Sequence, residues 1–266
     1  MDYSKILNSE LFVFDMDGTI YLGNEVFEGA IEFIEDLPRL GKKYIYLTNN
    51  SSRAGADYIT RLTGMGFPCK AENVFTSGMA TGLYLNEKHP GARVYLVGTQ
   101  AFRRELLSYG INLVEEDADV VVAGFDTELV YEKLNKAVHF LRKNHAAFIE
   151  ANPDWVCPMP DDEVLPDCGS ICALLTASSG VEPVVIGKPN RNMVDIISNM
   201  TGVPNDRICC VGDRLYTDIA VAQNAGAVSV LVLSGETDLA MVDAAERKPD
   251  YVLNDVRDIH RILLGK

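Results

Sequence analysis

Leu11-Phe12-Val13-Phe14-Asp15-Met16-Asp17-Gly18-Thr19 joins four consecutive apolar residues to two carboxylates and a glycine. An apolar run of this length without polar alternation predicts a β-strand buried on both faces, as in a parallel sheet covered by helices. The strand stops at Asp15. In such sheets ligands bind beyond the carboxyl ends of the strands, so the two aspartates are the first candidates for chemistry. Residues two apart on an extended chain face the same side. Held about 5 Å apart at an effective dielectric of 20, two carboxylates repel by roughly 3 kcal/mol. A divalent cation, or a proton on one carboxyl, offsets that. Both suit catalysis, with the ionised Asp as nucleophile and the protonated one as general acid. Gly18 lets the chain turn away. Taken alone, the segment reads equally well as a polar turn after a strand.

Outward from this stretch, strand-length apolar runs alternate with helix-length amphipathic ones. Residues 30–40 carry Ile31, Phe33, Ile34 and Leu37 at helical spacing, closed by Gly41. A strand follows at 44–47 and a helix at 54–65. The C-terminal third repeats the rhythm, with strands at 208–211, 228–233 and 251–253 and a helix at 218–225. This pattern predicts an α/β protein with a doubly wound, Rossmann-like parallel sheet. The middle has its own strands at 93–97, 120–123 and 147–149 and helices at 100–109, 130–143 and 170–178. We expect a second α/β domain at 81–183, inserted into a core formed by 1–80 and 184–266.

Three more polar segments follow apolar runs. Thr48-Asn49-Asn50-Ser51-Ser52 precedes a helix and offers hydroxyl, amide and backbone donors to an anion; by itself it is a plain helix cap. Gly187-Lys188-Pro189-Asn190 follows Val184-Val185-Ile186. A lysine held between Gly and Pro can be a fixed phosphate counter-charge, although most lysines are merely solvated. The segment is not a nucleotide P-loop, because the glycine spacing is wrong and Pro189 stands where Ser or Thr is needed. Gly212-Asp213-Arg214-Leu215-Tyr216-Thr217-Asp218 brings two further carboxylates to a strand end. Oxygen ligands without His or Cys favour a hard ion, magnesium above all. Thr217 or Asp218 can equally cap a helix.

Composition bounds the rest. With 266 residues the chain can bury about three-quarters of its unfolded surface, so no disulfide or metal staple is needed for folding. The net charge of −14 argues against nonspecific binding of nucleic acid and of anionic membranes. The N-terminal residues lack a signal-peptide pattern, and no apolar run is long enough to span a bilayer. The six cysteines form no CxxC pair; Cys168 and Cys172 could share a helix face, but without a nearby His a zinc site there is disfavoured. We expect a cytoplasmic chain with reduced thiols.

The four segments in this order resemble the haloacid dehalogenase (HAD) superfamily of phosphohydrolases. Asp15 to Thr19 is similar to its first motif, Thr48 to its second, Lys188 to its third and Gly212-Asp213 through Asp218 to its fourth. The gap between Thr48 and Lys188 far exceeds one crossover and fits an inserted C2-type cap. Ala151-Asn152-Pro153-Asp154 and Gly187-Lys188-Pro189 resemble the NagD-like branch, which includes nucleotide, phosphoglycolate and 4-nitrophenyl phosphatases. In Leu165-Pro166-Asp167-Cys168-Gly169-Ser170, Asp and Cys stand where relatives often place Gly and a small residue. Asn190 also departs from the Ser-Pro or apolar residue usual there.

The resemblance implies a magnesium-dependent phosphatase for a small phosphorylated metabolite: a nucleotide monophosphate, sugar phosphate or similar phosphomonoester. Asp15 would attack phosphorus and become an aspartyl phosphate. Asp17 would protonate the leaving group and then activate water. Thr48 and Asn49 would hold phosphoryl oxygens, Lys188 would offset charge, and Arg214 would lie near bound substrate. Magnesium would be held by Asp15, the backbone carbonyl of Asp17 and Asp213, with Asp218 nearby. A homodimer through the cap is the implied assembly. A phosphotransferase or mutase of the same fold differs only in what accepts the phosphoryl group. A phospho-acceptor signalling module would need neither Asp17 nor the long insertion, and true dehalogenation would leave Asp17 superfluous. Trp155, Met159 and Tyr216 are candidates to line a substrate pocket between cap and core; the four histidines match no ligand spacing.

Overall fold

The computed structural model describes residues 2–159 and 163–266. In chain order the strands are β1 (Leu11–Phe14), β2 (Tyr21–Leu22), β3 (Glu25–Val26), β4 (Lys43–Thr48), β5 (Val74–Thr76), β6 (Arg93–Val97), β7 (Asn112–Leu113), β8 (Val120–Ala123), β9 (Ala147–Glu150), β10 (Val156–Pro158), β11 (Val164–Pro166), β12 (Val184–Val185), β13 (Ile208–Gly212), β14 (Val228–Val232) and β15 (Tyr251–Leu253). The helices are α1 (Ser4–Asn8), α2 (Ala30–Arg39), α3 (Gly55–Gly64), α4 (Ser77–Lys88), α5 (Gln100–Ser108), α6 (Tyr131–Lys143), α7 (Cys168–Ser179), α8 (Asn192–Thr201), α9 (Ala220–Ala225), α10 (Leu239–Ala244) and α11 (Val256–Leu263). Among the described residues no helix is long and apolar enough to cross a membrane.

The chain divides into two compact units. The first comprises the segment ending at Thr48 together with Tyr58–Phe75 and Lys188–Lys266; the second comprises Asn49–Asp57 and Thr76–Gly187. These edges fall outside 81 and 183.

In the first unit a six-stranded sheet runs β15-β14-β13-β1-β4-β5. Its paired strands are parallel wherever their register is defined. All four residues of β1 are buried, because helices cover both faces of the sheet. Phe12 and Phe14 meet Phe33 of α2 edge-to-face. α2 turns Ala30, Phe33, Ile34 and Leu37 inward, the i, i+3, i+4, i+7 stripe that its sequence announces.

The second unit holds a five-stranded parallel sheet, β12-β9-β8-β6-β7. Tyr95, Val97, Val121, Ala123 and Phe148 pack on Leu134, Ala137, Phe140 and Leu141 of α6 and on Cys168, Ile171, Cys172 and Leu175 of α7. A small antiparallel ribbon, β10-β11, precedes α7.

Two expectations about local structure need correction. Val184 and Val185 do not join the sheet of β1; β12 pairs in parallel with β9 and closes the edge of the second sheet. A two-residue strand carries too little pattern to say which sheet it joins. The helix expected over 218–225 is shorter, because Leu215–Ile219 form a wide π-helical turn and α9 starts only at Ala220.

Candidate active site

The chain leaves β1 for β4 on one side and returns through β13 on the other, so strand order reverses at β1. That reversal is where an open α/β sheet builds its ligand site. Phe14 lies level with Tyr46 of β4 and Val211 of β13. Asp15 follows β1, Thr48 closes β4, and Asp213 follows β13. Three adjacent strand ends therefore deliver three of the sequence candidates.

Lys188 and Asp218 complete the group. The Lys188 ammonium, only 3% exposed, donates to Asp15 Oδ1 and Asp218 Oδ1, each at 2.5 Å. The π-helical turn brings Asp218 back towards the strand end, where its Oδ2 accepts the Arg214 backbone N–H at 3.1 Å. Such wide turns recur at functional sites because they re-aim one side chain. Asp213 Oδ2 accepts the Glu236 backbone N–H at 2.8 Å. Its other oxygen, Oδ1, is buried without a hydrogen-bond partner among the described residues.

One ammonium faces three carboxylates here, and the charge does not balance. Burial first, and then the neighbouring Asp218 and Asp213, push Asp15 up to about 8 against the pull of Lys188. Burial and Asp218 push Asp213 up to about 6. Burial alone would strip Lys188 of its proton, but Asp15 and Asp218 outweigh it and raise its pKa. The cluster thus holds a proton or a cation to offset its excess charge. Carboxylate oxygens of Asp15, Asp213 and Asp218 lie within 4.8 Å of one another. An all-oxygen donor set with one orphaned carboxylate oxygen fits a hard divalent ion such as magnesium.

Close backbone approach makes room for these carboxylates. Gly18, at φ +83°, would place a Cβ 2.5 Å from Asp213 Oδ2, and a Cβ on Gly235 would overlap the same carboxyl. Ser234 Oγ donates to the Gly18 carbonyl at 2.8 Å and ties the two loops together.

The other candidates stand as follows. Asp17 is open to solvent, and its carboxyl is not one of the three that converge. The protein crowded around that carboxyl raises its pKa, opposed by the Gly23 N–H and by the charges of Arg61 and Arg214. The Arg214 guanidinium has its Nε 2.9 Å from Glu236 Oε2. Thr48 is buried at the end of β4. Asn49 belongs to the second unit, where its side-chain amide donates to Asp154 Oδ2 at 2.8 Å and its carbonyl accepts from Ser77 Oγ at 2.6 Å. Trp155, Met159 and Tyr216 are exposed.

Sequence reading missed Ser234, Gly235 and Glu236. They follow the strand at β14, so the rule that found the other segments applies to them too, but a backbone N–H and a missing Cβ leave no chemical signature. It also missed Arg61, which lies over the Tyr21 ring with its guanidinium carbon 5.1 Å from the centroid. In the second unit it singled out Asn152 within a motif but not the hub that this residue forms. This wholly buried side chain accepts from Ser51 Oγ at 2.7 Å and donates to Asp154 at 2.8 Å and Asp167 at 3.0 Å.

Residues 12–112 match the haloacid dehalogenase-like hydrolase family, and residues 185–259 match a HAD-hydrolase-like family. A 4-nitrophenylphosphatase from Thermotoga maritima superposes with a TM-score of 0.93 at 41% identity, covering 97% of this chain and 98% of that one. NagD from E. coli superposes with a TM-score of 0.86 at 30% identity over 93% and 97% of the two chains. The 5'-nucleotidase YutF of Bacillus subtilis is 34% identical over 93% of this chain and 96% of its own length. With relatives of 30% identity or more matched over 93% to 97% of its length, the chain belongs to the haloacid dehalogenase-like hydrolases, in their NagD and 4-nitrophenylphosphatase branch of phosphatases.

Proposed function

We propose that this phosphatase hydrolyses a small phosphomonoester through an aspartyl phosphate on Asp15, with magnesium as its cofactor. The observation that carries the reading is the Lys188 ammonium bridging Asp15 and Asp218 beside the orphaned Asp213 Oδ1. It supplies a nucleophile, a fixed cation and a vacant carboxylate oxygen in one buried place.

In this reading an Asp15 oxygen forms a bond to phosphorus as the bond to the leaving oxygen breaks. The Asp17 carboxyl, whose pKa is raised, gives its proton to that leaving oxygen. Asp17, now ionised, takes a proton from water; the water oxygen bonds to phosphorus and the bond to Asp15 breaks, releasing inorganic phosphate. Lys188 offsets charge on Asp15 and on the transferring group, and Asp218 holds Lys188 in place. The Thr48 hydroxyl and the Asn49 backbone next to it are the donors for phosphoryl oxygens, and Arg214 adds positive charge. Asp15, the Asp17 carbonyl and Asp213 would hold magnesium, with Asp218 nearby; when bound, it supplies the charge that otherwise has to come from a proton on the cluster.

The 5'-nucleotidase and 4-nitrophenylphosphatase relatives support small phosphomonoesters, nucleotide monophosphates included, as the substrate class, and acid sugar phosphatase relatives extend it to sugar phosphates. We assign the inserted segment, 81–183, the role of a C2-type cap that selects the leaving group. Exposed Trp155, Val164 and Leu165 give it apolar surface for a homodimer. The absence of disulfides among the described cysteines suits the reducing cytoplasm.

The test is phosphate release from a broad phosphomonoester panel, with magnesium and with chelator, beside Asp15→Asn. Magnesium-dependent turnover abolished in the variant supports the reading. Turnover that survives either chelator or Asp15→Asn contradicts it.

A further inference from the structure

α7 opens on a pair of thiols that phosphoryl transfer does not use. Cys168 and Cys172 lie one helical turn apart, so they share a face, and that face is turned into the core of the second unit. They are 0% and 2% exposed, and their Sγ atoms are 3.8 Å apart. Glu150, the last residue of β9, is buried beside them. Both sulfurs and a Glu150 oxygen lie within 4.8 Å of one another. Cys168 Sγ is also 3.3 Å from the carbonyl oxygen of Ala123, which ends β8. A carboxyl buried against thiols costs stability that an apolar side chain would not. Sequence spacing reveals the thiols but not Glu150, which only the parallel pairing of β8 with β9 delivers.

We propose that Cys168, Cys172 and Glu150 form a zinc site, with the Ala123 carbonyl oxygen as fourth ligand. Two thiolates and a carboxylate suit zinc rather than magnesium or calcium. A tetrahedral ion with zinc–sulfur bonds of about 2.3 Å needs a sulfur–sulfur edge of about 3.8 Å and a sulfur–oxygen edge of about 3.6 Å. The separations of 3.8 Å between the sulfurs and 3.3 Å to Ala123 come close to both before any ion is bound. Binding expels the thiol protons, so affinity rises with pH.

The ligands are buried, so the ion enters as α7 forms, during folding. Once bound it ties β8 and β9 to the start of α7. Asp167, which caps that helix, accepts from Asn152, the hub that also holds Ser51. The site therefore clamps the segment on which Asn152 and Asp154 are displayed. This inference does not depend on the phosphatase mechanism.

The test refolds reduced, metal-stripped full-length protein with one equivalent of Co2+, a spectroscopic stand-in for zinc. We expect thiolate-to-cobalt charge-transfer absorption together with the intense visible bands of tetrahedral cobalt. The all-oxygen cluster at Asp15, Asp213 and Asp218 gives no thiolate band. Cys168→Ser and Cys172→Ser should each abolish it, and Glu150→Gln should weaken cobalt binding at least tenfold. Absence of the band from the parent protein, or its persistence in both cysteine variants, overturns the site. Unchanged affinity in Glu150→Gln overturns the three-residue assignment. Should the variants fail to fold, X-ray absorption on the parent protein refolded with Zn2+ decides. Two sulfurs at about 2.3 Å are expected, and fewer than two overturn the proposal.

Discussion

The ammonium of Lys188 lies 2.5 Å from Oδ1 of Asp15, the residue that opens the loop after the central strand. Lys188 comes from the far side of the long insertion, so this contact can form only when both parts of the first unit have assembled. Removing one partner of a buried pair leaves the other charge uncompensated, at a cost of roughly 3 kcal/mol or more. Lys188→Met should therefore lower stability by about that amount, read by urea denaturation. Adding Asp218→Asn should restore part of it, because the double variant removes a charge that Lys188 no longer balances. Strict additivity of the two substitutions would argue against the bridge.

Proton release on cation binding should follow from the crowding of carboxylates. With its pKa raised to about 8 in the metal-free protein, Asp15 binds a proton more tightly folded than unfolded. Its contribution to stability is then fully present below about pH 4, declines as pH climbs, and is gone above about pH 8. Magnesium should restore stability most at the alkaline end of that window. Calorimetry at pH 7 in buffers of different ionisation enthalpy should show proton release on magnesium binding, fading above pH 9. Binding without proton release at pH 7 would contradict this.

Gly235→Ala should act on the cation, because the added methyl group would overlap the Asp213 carboxyl. Displacing a group that orients a metal ligand typically weakens metal binding by about 10- to 100-fold. We expect the magnesium concentration for half-maximal activity to rise by about tenfold or more, with the overall fold retained by circular dichroism.

Asn152→Asp is nearly isosteric but replaces an amide that donates to Asp154 and Asp167 with a third carboxylate. A buried unpaired charge among like charges should cost about 3 kcal/mol or more at neutral pH. The loss should shrink in acid, where the new carboxyl can be protonated. Thermal unfolding at pH 7 and pH 5 checks the sign, and an equal loss at both would count against it.

Strands such as β1, β8 and β14 were legible because a sheet covered on both faces demands unbroken apolar runs. β2, β3, β7 and β12 are two residues long and carry no such run, which is why they escaped notice or, at β12, joined a different sheet. Asp15, Lys188, Asp213 and Asp218 were legible as charged residues following apolar runs. What surrounds them was not. Glu236 contributes a backbone N–H, Gly235 contributes an absence, and the π-helical turn at Leu215–Ile219, which brings Asp218 back to the strand end, has no motif or periodicity that announces it.

Trapping the covalent intermediate tests the central claim most directly. Asp17→Asn keeps the shape of the side chain but cannot take a proton from water, and with an aryl phosphate, whose phenolate leaves without a donated proton, Asp15 can still be phosphorylated. After brief exposure to an aryl phosphate with magnesium and rapid acid quench, mass spectrometry should find one phosphoryl group on the peptide bearing Asp15. Turnover by the parent enzyme with no phosphorylated peptide in the variant, or with the label on another residue, would contradict nucleophilic attack by Asp15.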